Sequence, residues 1–178
     1  MQRLKAFYLD NVRPKLLEEY KYRNMCKVPR ILKVVINRGF DDSCQNSKIL
    51  DSLSNEFKLL SGQKSSLRRS KNAISSFKIR KGMPIGMKVT LHGDKMYAFL
   101  DRLLNLVLPR IRDFQGLNNK SFDGCGNYSF SLYDQTIFPE VDSSKVMKLK
   151  GLDINIVTNS GNDQESLFFL KALGLPFK

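Results

Sequence analysis

The stretch Met87-Lys-Val-Thr-Leu-His92, followed at once by Gly93 and Asp94, decides the fold class. Apolar side chains at 87, 89 and 91 alternate with polar ones at 88, 90 and 92, which predicts a strand with one buried and one wet face. After Asp94 the apolar residues recur at spacings of three and four, which predicts a helix that ends at Pro109. A strand that runs directly into a helix indicates a domain of mixed secondary structure.

Further strand and helix patterns lie on both sides of this stretch. The other predicted strands are Ile31–Asn37, Tyr128–Tyr133 and Leu152–Thr158. The other predicted helices are Gln2–Tyr22, with Pro14 as a possible break, Ser47–Leu60, and a last helix that begins at the capping box Asn162–Glu165. On the first strand we expect Leu32, Val34 and Ile36 to face the core. Since the order has no strict strand-helix-strand repeat, it predicts one α+β domain over residues 1–178, a mainly antiparallel sheet with helices on one face.

The charge of the chain is strongly positive and unevenly placed. Its 178 residues carry 30 Lys and Arg against 17 Asp and Glu, a formal net charge of +13. Such an excess indicates a polyanionic partner, because cations that meet phosphates release condensed counterions. Between Glu56 and Asp94 no acidic residue occurs, while the basic residues are Lys58, Lys64, Arg68, Arg69, Lys71, Lys78, Arg80, Lys81 and Lys88. A segment of one sign predicts a long basic loop that faces phosphates, with a merely solvated surface as the alternative.

The outward positions of the two strands near 31–37 and 87–92 form a second candidate RNA-binding feature. Lys33, Asn37, Lys88 and Thr90 all point away from the apolar faces assigned above. If the strands are neighbours, these side chains make a polar sheet face that can hydrogen-bond to phosphate, sugar and base edges. The wet face of any antiparallel sheet would give the same pattern, and the pattern alone favours neither interpretation.

No catalytic or metal-binding constellation can be assembled from the sequence. Cys26, Cys44 and Cys125 stand far apart and His92 is the only histidine, so no zinc site is expected. His92 has no catalytic partner nearby, and the Gly124–Gly126 fragment lacks the third glycine of a dinucleotide site. Scattered carboxylates leave a basic nuclease as the alternative function. No apolar run approaches the roughly eighteen residues that a membrane-spanning helix needs.

A series of short motifs, in order along nearly the whole chain, closely resembles a known ribosomal family. The motifs are Ser61-Gly-Gln-Lys64, Phe77-Lys-Ile-Arg80, Pro84-Ile-Gly86, Lys88-Val-Thr-Leu91, Pro109-Arg-Ile-Arg-Asp-Phe114, Ser121-Phe-Asp-Gly124, Gly126-Asn-Tyr-Ser129, Ile137-Phe-Pro-Glu140, Gly151-Leu-Asp-Ile154 and the ending Pro176-Phe177. Together they resemble the bacterial-type fifth protein of the large ribosomal subunit, a 5S-rRNA-binding family. The resemblance implies a non-enzymatic α+β protein of the central protuberance that needs no cofactor. Its partners would be 5S rRNA, large-subunit rRNA, peptidyl-site tRNA, neighbouring large-subunit proteins and a small-subunit protein at an intersubunit bridge.

Carried over onto this chain, the resemblance assigns residues to these contacts. Asn37, Gln63 and Thr90 match the sheet-surface contacts of the family to 5S rRNA. With the basic residues of the same region, the candidate 5S-rRNA-binding residues are Lys33, Asn37, Gln63, Lys64, Lys88 and Thr90. Arg110 and Arg112 are candidate contacts to rRNA and to the bridge.

The segment Arg68–Ile85 matches the loop with which the family reaches peptidyl-site tRNA. Its candidate tRNA contacts are Lys71, Lys78, Arg80 and Lys81. We expect residues 70–83 to be mobile in the free protein, since like charges repel and few apolar side chains hold them down. The chain departs from the family at Gln115 and Cys125, where arginine is usual.

Two phrases, Val34-Val-Ile-Asn-Arg-Gly39 and Met96-Tyr-Ala-Phe-Leu-Asp-Arg102, resemble plastid and cyanobacterial members of the family. Together with the high Lys, Asn and Phe content expected of AT-rich organelle genes, they predict a plastid (chloroplast) ribosome, with a bacterial cytoplasm as the alternative. No signal peptide or Ser/Arg-rich leader precedes the first predicted helix, so an organelle-encoded or processed chain is expected.

Overall fold

A computed structural model describes residues 2–40, 47–141 and 149–178, with Cys44 outside this part of the chain. The strands are β1 (Ile31–Gly39), β2 (Ser66–Arg69), β3 (Pro84–Leu91), β4 (Tyr128–Leu132) and β5 (Leu152–Thr158). The helices are α1 (Arg3–Phe7), α2 (Arg13–Tyr20), α3 (Ser47–Ser61), α4 (Gly93–Arg102) and α5 (Asp163–Leu173). The strands form one five-stranded antiparallel sheet in the order β2-β3-β1-β5-β4, which confirms the predicted α+β class.

The chain divides into two compact units, so the prediction of one domain over 1–178 stays a prediction. The first unit comprises 1–34, 91–130 and 154–178. Here α1 packs against α4, where Arg3 pairs with Asp101 at 2.8 Å and Lys5 pairs with Asp94 at 2.7 Å. Both pairs are open to solvent, which screens them, so they contribute little stability and serve mainly to orient the helices.

The helix predicted over Gln2–Tyr22 is interrupted before Pro14 and not at it. A π-helical turn, Tyr8–Val12, separates α1 from α2. Pro14 lies in the first turn of α2, directly after this π-helical turn. The predicted start of α5 is confirmed, because the side chain of Asn162 accepts a hydrogen bond from the Gln164 backbone at 3.2 Å.

The second unit comprises 35–90 and 131–153. Its apolar layer contains Leu53, Phe57 and Leu60 from α3, Ile36 from β1, and Met87 and Val89 from β3, all buried. Their spacing on α3 is three and four residues, whereas on β3 it is two. These spacings match the helical and the strand repeat, so the apolar residues of each element lie on one side of it. Both sides are buried, as the sequence patterns predicted.

Two expectations about the strands are wrong. Leu32 is 43% exposed, whereas Ile31 is 5% exposed, because burial does not alternate regularly at the start of β1. The basic segment is not one open loop: Ser66–Arg69 forms β2, which pairs antiparallel with β3. Beyond β2 the hairpin continues, since the Ser70 N–H donates to the Met83 carbonyl at 2.8 Å. We call residues 66–86 the basic hairpin.

Candidate nucleic-acid interface

The wet side of β3 carries the polar residues that the alternation predicted. Met87 and Val89 are buried, while Lys88 and Thr90 are half-buried. In the antiparallel register Ser66 lies opposite Lys88, and directly opposite residues project from the same face of a sheet. Ser66, Lys88 and Thr90 therefore share one face, a surface of hydroxyl and ammonium groups above a buried apolar layer.

A carboxylate that sequence reasoning missed extends this surface. Asn37 Nδ2 donates to Asp153 Oδ2 at 3.3 Å, and Ser131 Oγ donates to Asp153 Oδ1 at 2.7 Å. Since a carboxylate only accepts, the NH₂ group of Asn37 must face Asp153. A signal was present in the sequence, because Asp153 lies between the buried residues Leu152 and Ile154 of a strand.

Gln63 reaches the same region through the turn that ends α3. Gly62 adopts φ +68, in the left-handed region where glycine is favoured, and its N–H donates to the Lys58 carbonyl at 2.8 Å. The next side chain then turns toward β3, where Gln63 Nε2 donates to the Thr90 carbonyl at 3.3 Å. This bond sets the orientation of the Gln63 amide. It uses the backbone carbonyl of Thr90, so the Thr90 hydroxyl takes no part in it.

The structure thus brings together some of the candidate 5S-binding residues. Gln63 contacts Thr90 directly, whereas Asn37 is held by Asp153. Lys64 is exposed next to Gln63. Lys33 is exposed on the part of β1 that belongs to the first unit. We call the following group from the second unit the polar patch: Asn37, Gln63, Lys88, Thr90, Ser131 and Asp153.

The basic hairpin is tied together by backbone and side-chain hydrogen bonds. Ile74 and Ile79 exchange two backbone bonds of 2.9 and 3.1 Å, and Arg69 Nη1 donates to the Gly82 carbonyl at 3.0 Å. The four candidate tRNA contacts, Lys71, Lys78, Arg80 and Lys81, are all exposed. Phe77 at the tip is 66% exposed, so the hairpin presents an aromatic ring among cations.

Arg38, the residue that follows Asn37 of the polar patch, forms an ion pair with Glu56. Arg38 is 1% exposed, its Nη1 lies 3.6 Å from Glu56 Oε2, and its guanidinium carbon lies 5.4 Å from the Phe57 ring centroid. Burial raises the pKa of Glu56, although the positive charge of Arg38 acts in the opposite direction. Together these contacts fix the strand next to the patch.

The remaining candidate positions belong to the first unit. Helix α4 runs on through a π-helical segment, Leu103–Val107, into a 3₁₀ turn, Leu108–Arg110, in place of the single helix predicted up to Pro109. Arg110 ends this turn and Arg112 lies two residues beyond it, and both are exposed. Cys125, at a position where arginine is usual, is exposed on a loop fixed by Asp163, which accepts from the N–H groups of Gly124 and Gly126 at 3.1 and 2.8 Å. Gln115 accepts from Lys178 Nζ at 2.9 Å.

Within residues 2–40, 47–141 and 149–178, no group of three or more His, Cys, Asp or Glu side chains is placed to hold a metal ion. In the same part of the chain no helix is both long and apolar enough to cross a membrane.

Two family models match the chain. The model described as ribosomal protein L5 matches residues 24–80, and a second model, which describes the C-terminus of the same ribosomal protein family, matches residues 84–177. Among curated relatives, large ribosomal subunit protein uL5c of Euglena gracilis is 56% identical over 178 residues, which is 100% of this chain and 99% of the relative. The uL5c proteins of Euglena longa and Chaetosphaeridium globosum are 58% and 55% identical, covering 99% and 96% of those relatives and 99% and 100% of this chain.

These matches confirm the resemblance inferred from the ordered motifs and the prediction of a plastid-type protein. The family is structural and non-enzymatic, which confirms the prediction of a non-enzymatic ribosomal protein and contradicts the nuclease alternative. Its partners are rRNA and other ribosomal proteins. The chain therefore belongs to the ribosomal protein L5 family, as a plastid-type structural constituent of the large ribosomal subunit.

Proposed function

We propose that this chain binds 5S rRNA through the polar patch. The observation that carries the proposal is the fixed orientation of two amides, Asn37 against Asp153 and Gln63 against the Thr90 carbonyl. Amides held in one rotamer lose little conformational entropy on binding, so their remaining groups can recognise sugar and base edges efficiently.

Around these amides the lysines supply the part of binding that does not depend on sequence. Lys88 belongs to the polar patch, and Lys64 is exposed next to Gln63. Ammonium groups neutralise phosphates and position the RNA, whereas amide and hydroxyl groups distinguish it. In this proposal the polar patch and its lysines supply both the neutralisation of phosphates and the recognition of sugar and base edges.

We further propose that the basic hairpin contacts peptidyl-site tRNA and that Arg110 and Arg112 contact large-subunit rRNA or a small-subunit protein at the intersubunit bridge. The hairpin has exposed cations and one exposed ring, and it has no carboxylate. A surface of this kind suits a partner whose backbone shape is constant while its sequence varies, because phosphate contacts do not read bases.

The test is binding of the purified protein to 5S rRNA and to an unrelated RNA of equal length, over a salt series. We expect tighter binding to 5S rRNA at every salt concentration, with affinity for both RNAs falling as salt rises. Equal affinity for the two RNAs throughout the series would contradict 5S recognition and leave only a general affinity for polyanions.

A further inference from the structure

The end of α2 borders a cavity of about 790 Å³ in the first unit, and its lining shares no residue with any surface assigned above. The cavity is lined by Tyr20, Lys21, Tyr22, Arg23, Asn24, Met25 and Lys27. These residues fall in one short segment, and none of them carries a carboxylate.

Local backbone geometry shapes the segment. Helix α2 ends at Tyr20 because Lys21 adopts the left-handed conformation, with φ 47 and ψ 44, and turns the chain sharply. The side chain of Asn24 then accepts from the Cys26 N–H at 2.9 Å and begins a short 3₁₀ turn, Met25–Lys27. Hydrogen bonds therefore hold the second half of the segment in shape before any partner binds.

The apolar part of the cavity is a pair of stacked tyrosines and a methionine. The rings of Tyr20 and Tyr22 are 5.8 Å apart at an angle of 27°, and Phe168 supports Tyr20 edge-on at 5.7 Å. Tyr20 is still 38% exposed and Met25 is 59% exposed. A supported yet exposed aromatic surface of this kind is suited to stacking by a planar ligand.

One polar group of a lining residue has no hydrogen-bond partner within the described part of the chain. The Tyr22 hydroxyl is buried and has no hydrogen bond within the described part of the chain. A buried unsatisfied hydroxyl costs about 1–3 kcal/mol, so a ligand that displaces the side chains covering it and offers it an acceptor gains in affinity.

The charge of the lining selects the class of ligand. Lys21, Arg23 and Lys27 all line the cavity and are exposed. Acidic residues lie on the Tyr20 side, where burial and the charges of Glu165 and Glu19 raise the pKa of the phenol. The three cations of the lining therefore favour an anionic ligand over a cationic one.

We propose that this cavity binds an unpaired nucleobase of RNA, with the base on Tyr20 and Met25, its polar edge at the Tyr22 hydroxyl, and its flanking phosphates at Lys21, Arg23 and Lys27. Single-stranded RNA offers a planar base and phosphates at the same place, and a protein that combines aromatic rings with cations recognises both. An acidic protein segment would satisfy the cations and leave the aromatic surface without a stacking partner. This RNA-binding site of the first unit would share no residue with the polar patch of the second.

The test uses the full-length protein with saturating 5S rRNA and a 12-nucleotide single-stranded RNA that contains 4-thiouridine, compared with a 12-base-pair duplex of the same sequence. After irradiation, mass spectrometry locates the crosslinked peptides. We expect crosslinks to residues 20–27, roughly tenfold more from the single strand than from the duplex. Because the readout is a position in the chain, the site is tested even if 5S rRNA does not bind.

Variants distinguish binding at this site from a general electrostatic attraction between the basic protein and RNA. Tyr22→Phe removes only the hydroxyl, and the triple variant Lys21→Asn, Arg23→Ala, Lys27→Ala keeps a residue that tolerates the left-handed position. The matched control replaces three exposed lysines of the same unit by alanine, Lys15, Lys95 and Lys171. We expect crosslinking at 20–27 to fall roughly threefold and tenfold for the first two variants and to hold for the control. Absence of crosslinks at 20–27, equal yields from the duplex, or equal loss in the control would overturn the proposal.

Discussion

Asn37 Nδ2 donates a 3.3 Å hydrogen bond to Oδ2 of Asp153, and this bond sets the orientation of the amide on the sheet surface. A second donor, Ser131 Oγ at 2.7 Å, fixes the carboxylate itself. The three side chains form a chain of hydrogen bonds that leaves the carbonyl oxygen of Asn37 turned away from Asp153. An RNA donor, such as a 2′-hydroxyl or an exocyclic amine, is the partner that this oxygen can accept from.

Replacing Asn37 or Thr90 with alanine should weaken binding to 5S rRNA by about 1–3 kcal/mol each, because an RNA group is left unpaired in the interface. The fold should survive, since neither side chain is in the buried layer. Binding titrations measure the affinity of each variant for 5S rRNA, and thermal unfolding checks that each variant is still folded. If the double variant binds 5S rRNA like the parent, the polar patch is only the wet face of a sheet.

Asp153→Ala should weaken 5S rRNA binding less than Asn37→Ala does, because it releases the amide without removing it. The two substitutions should not be additive, with a coupling energy of about 0.5–2 kcal/mol in a double-mutant cycle. Full additivity of Asp153→Ala and Asn37→Ala would mean that the hydrogen bond does not orient the amide for RNA.

The strand β3 was predictable from the sequence, whereas β2 was not. On β3 the alternation of Met87, Val89 and Leu91 is a local signal of one buried face. All four residues of β2 are exposed, so its side chains carry no alternation and only its pairing with β3 defines it. The link between Asn37 and Asp153 required the neighbouring positions of β1 and β5, which follow from tertiary structure and not from either strand alone.

Gly86→Ala should destabilise the protein markedly. A Cβ atom at this position would lie 2.7 Å from the Arg38 carbonyl oxygen, and backbone atoms cannot yield as a flexible side chain can. The control is Gly39→Ala in the same unit, where nothing lies within 4 Å of the added atom. Thermal unfolding should show a decrease of several degrees for Gly86→Ala alone. Similar melting temperatures for both variants would mean that β1 and β3 can move apart at Gly86 without loss of stability.

Hydrogen exchange tests the expected mobility of residues 70–83 against the hydrogen bonds of the hairpin. The amides of Ser70, Ile74, Ile79 and Gly82 all donate to backbone carbonyls. If the hairpin is preformed in solution, these four should exchange more slowly than the amide of Phe77 at its tip. Uniformly fast exchange across 70–83 would instead support the mobile segment that the charge pattern predicted.

The basic hairpin and the polar patch should separate in function. Replacing Lys78, Arg80 and Lys81 with alanine should leave 5S rRNA binding nearly intact, because none of the three belongs to the polar patch. The same change should weaken retention of tRNA in the peptidyl site of ribosomes that carry the variant, and more so at high salt, where the remaining contacts are screened. Nitrocellulose filter binding measures both affinities.

The exposed ring at the tip of the hairpin sharpens this test. Phe77→Ala removes no charge, so it should weaken tRNA retention by a similar factor at low and high salt if the ring packs on a sugar or base. The variant with Lys78, Arg80 and Lys81 replaced by alanine should lose more tRNA retention at high salt than at low salt, which Phe77→Ala should not. Equal losses of 5S binding and tRNA retention in the triple variant would mean that hairpin and patch form one 5S-binding surface.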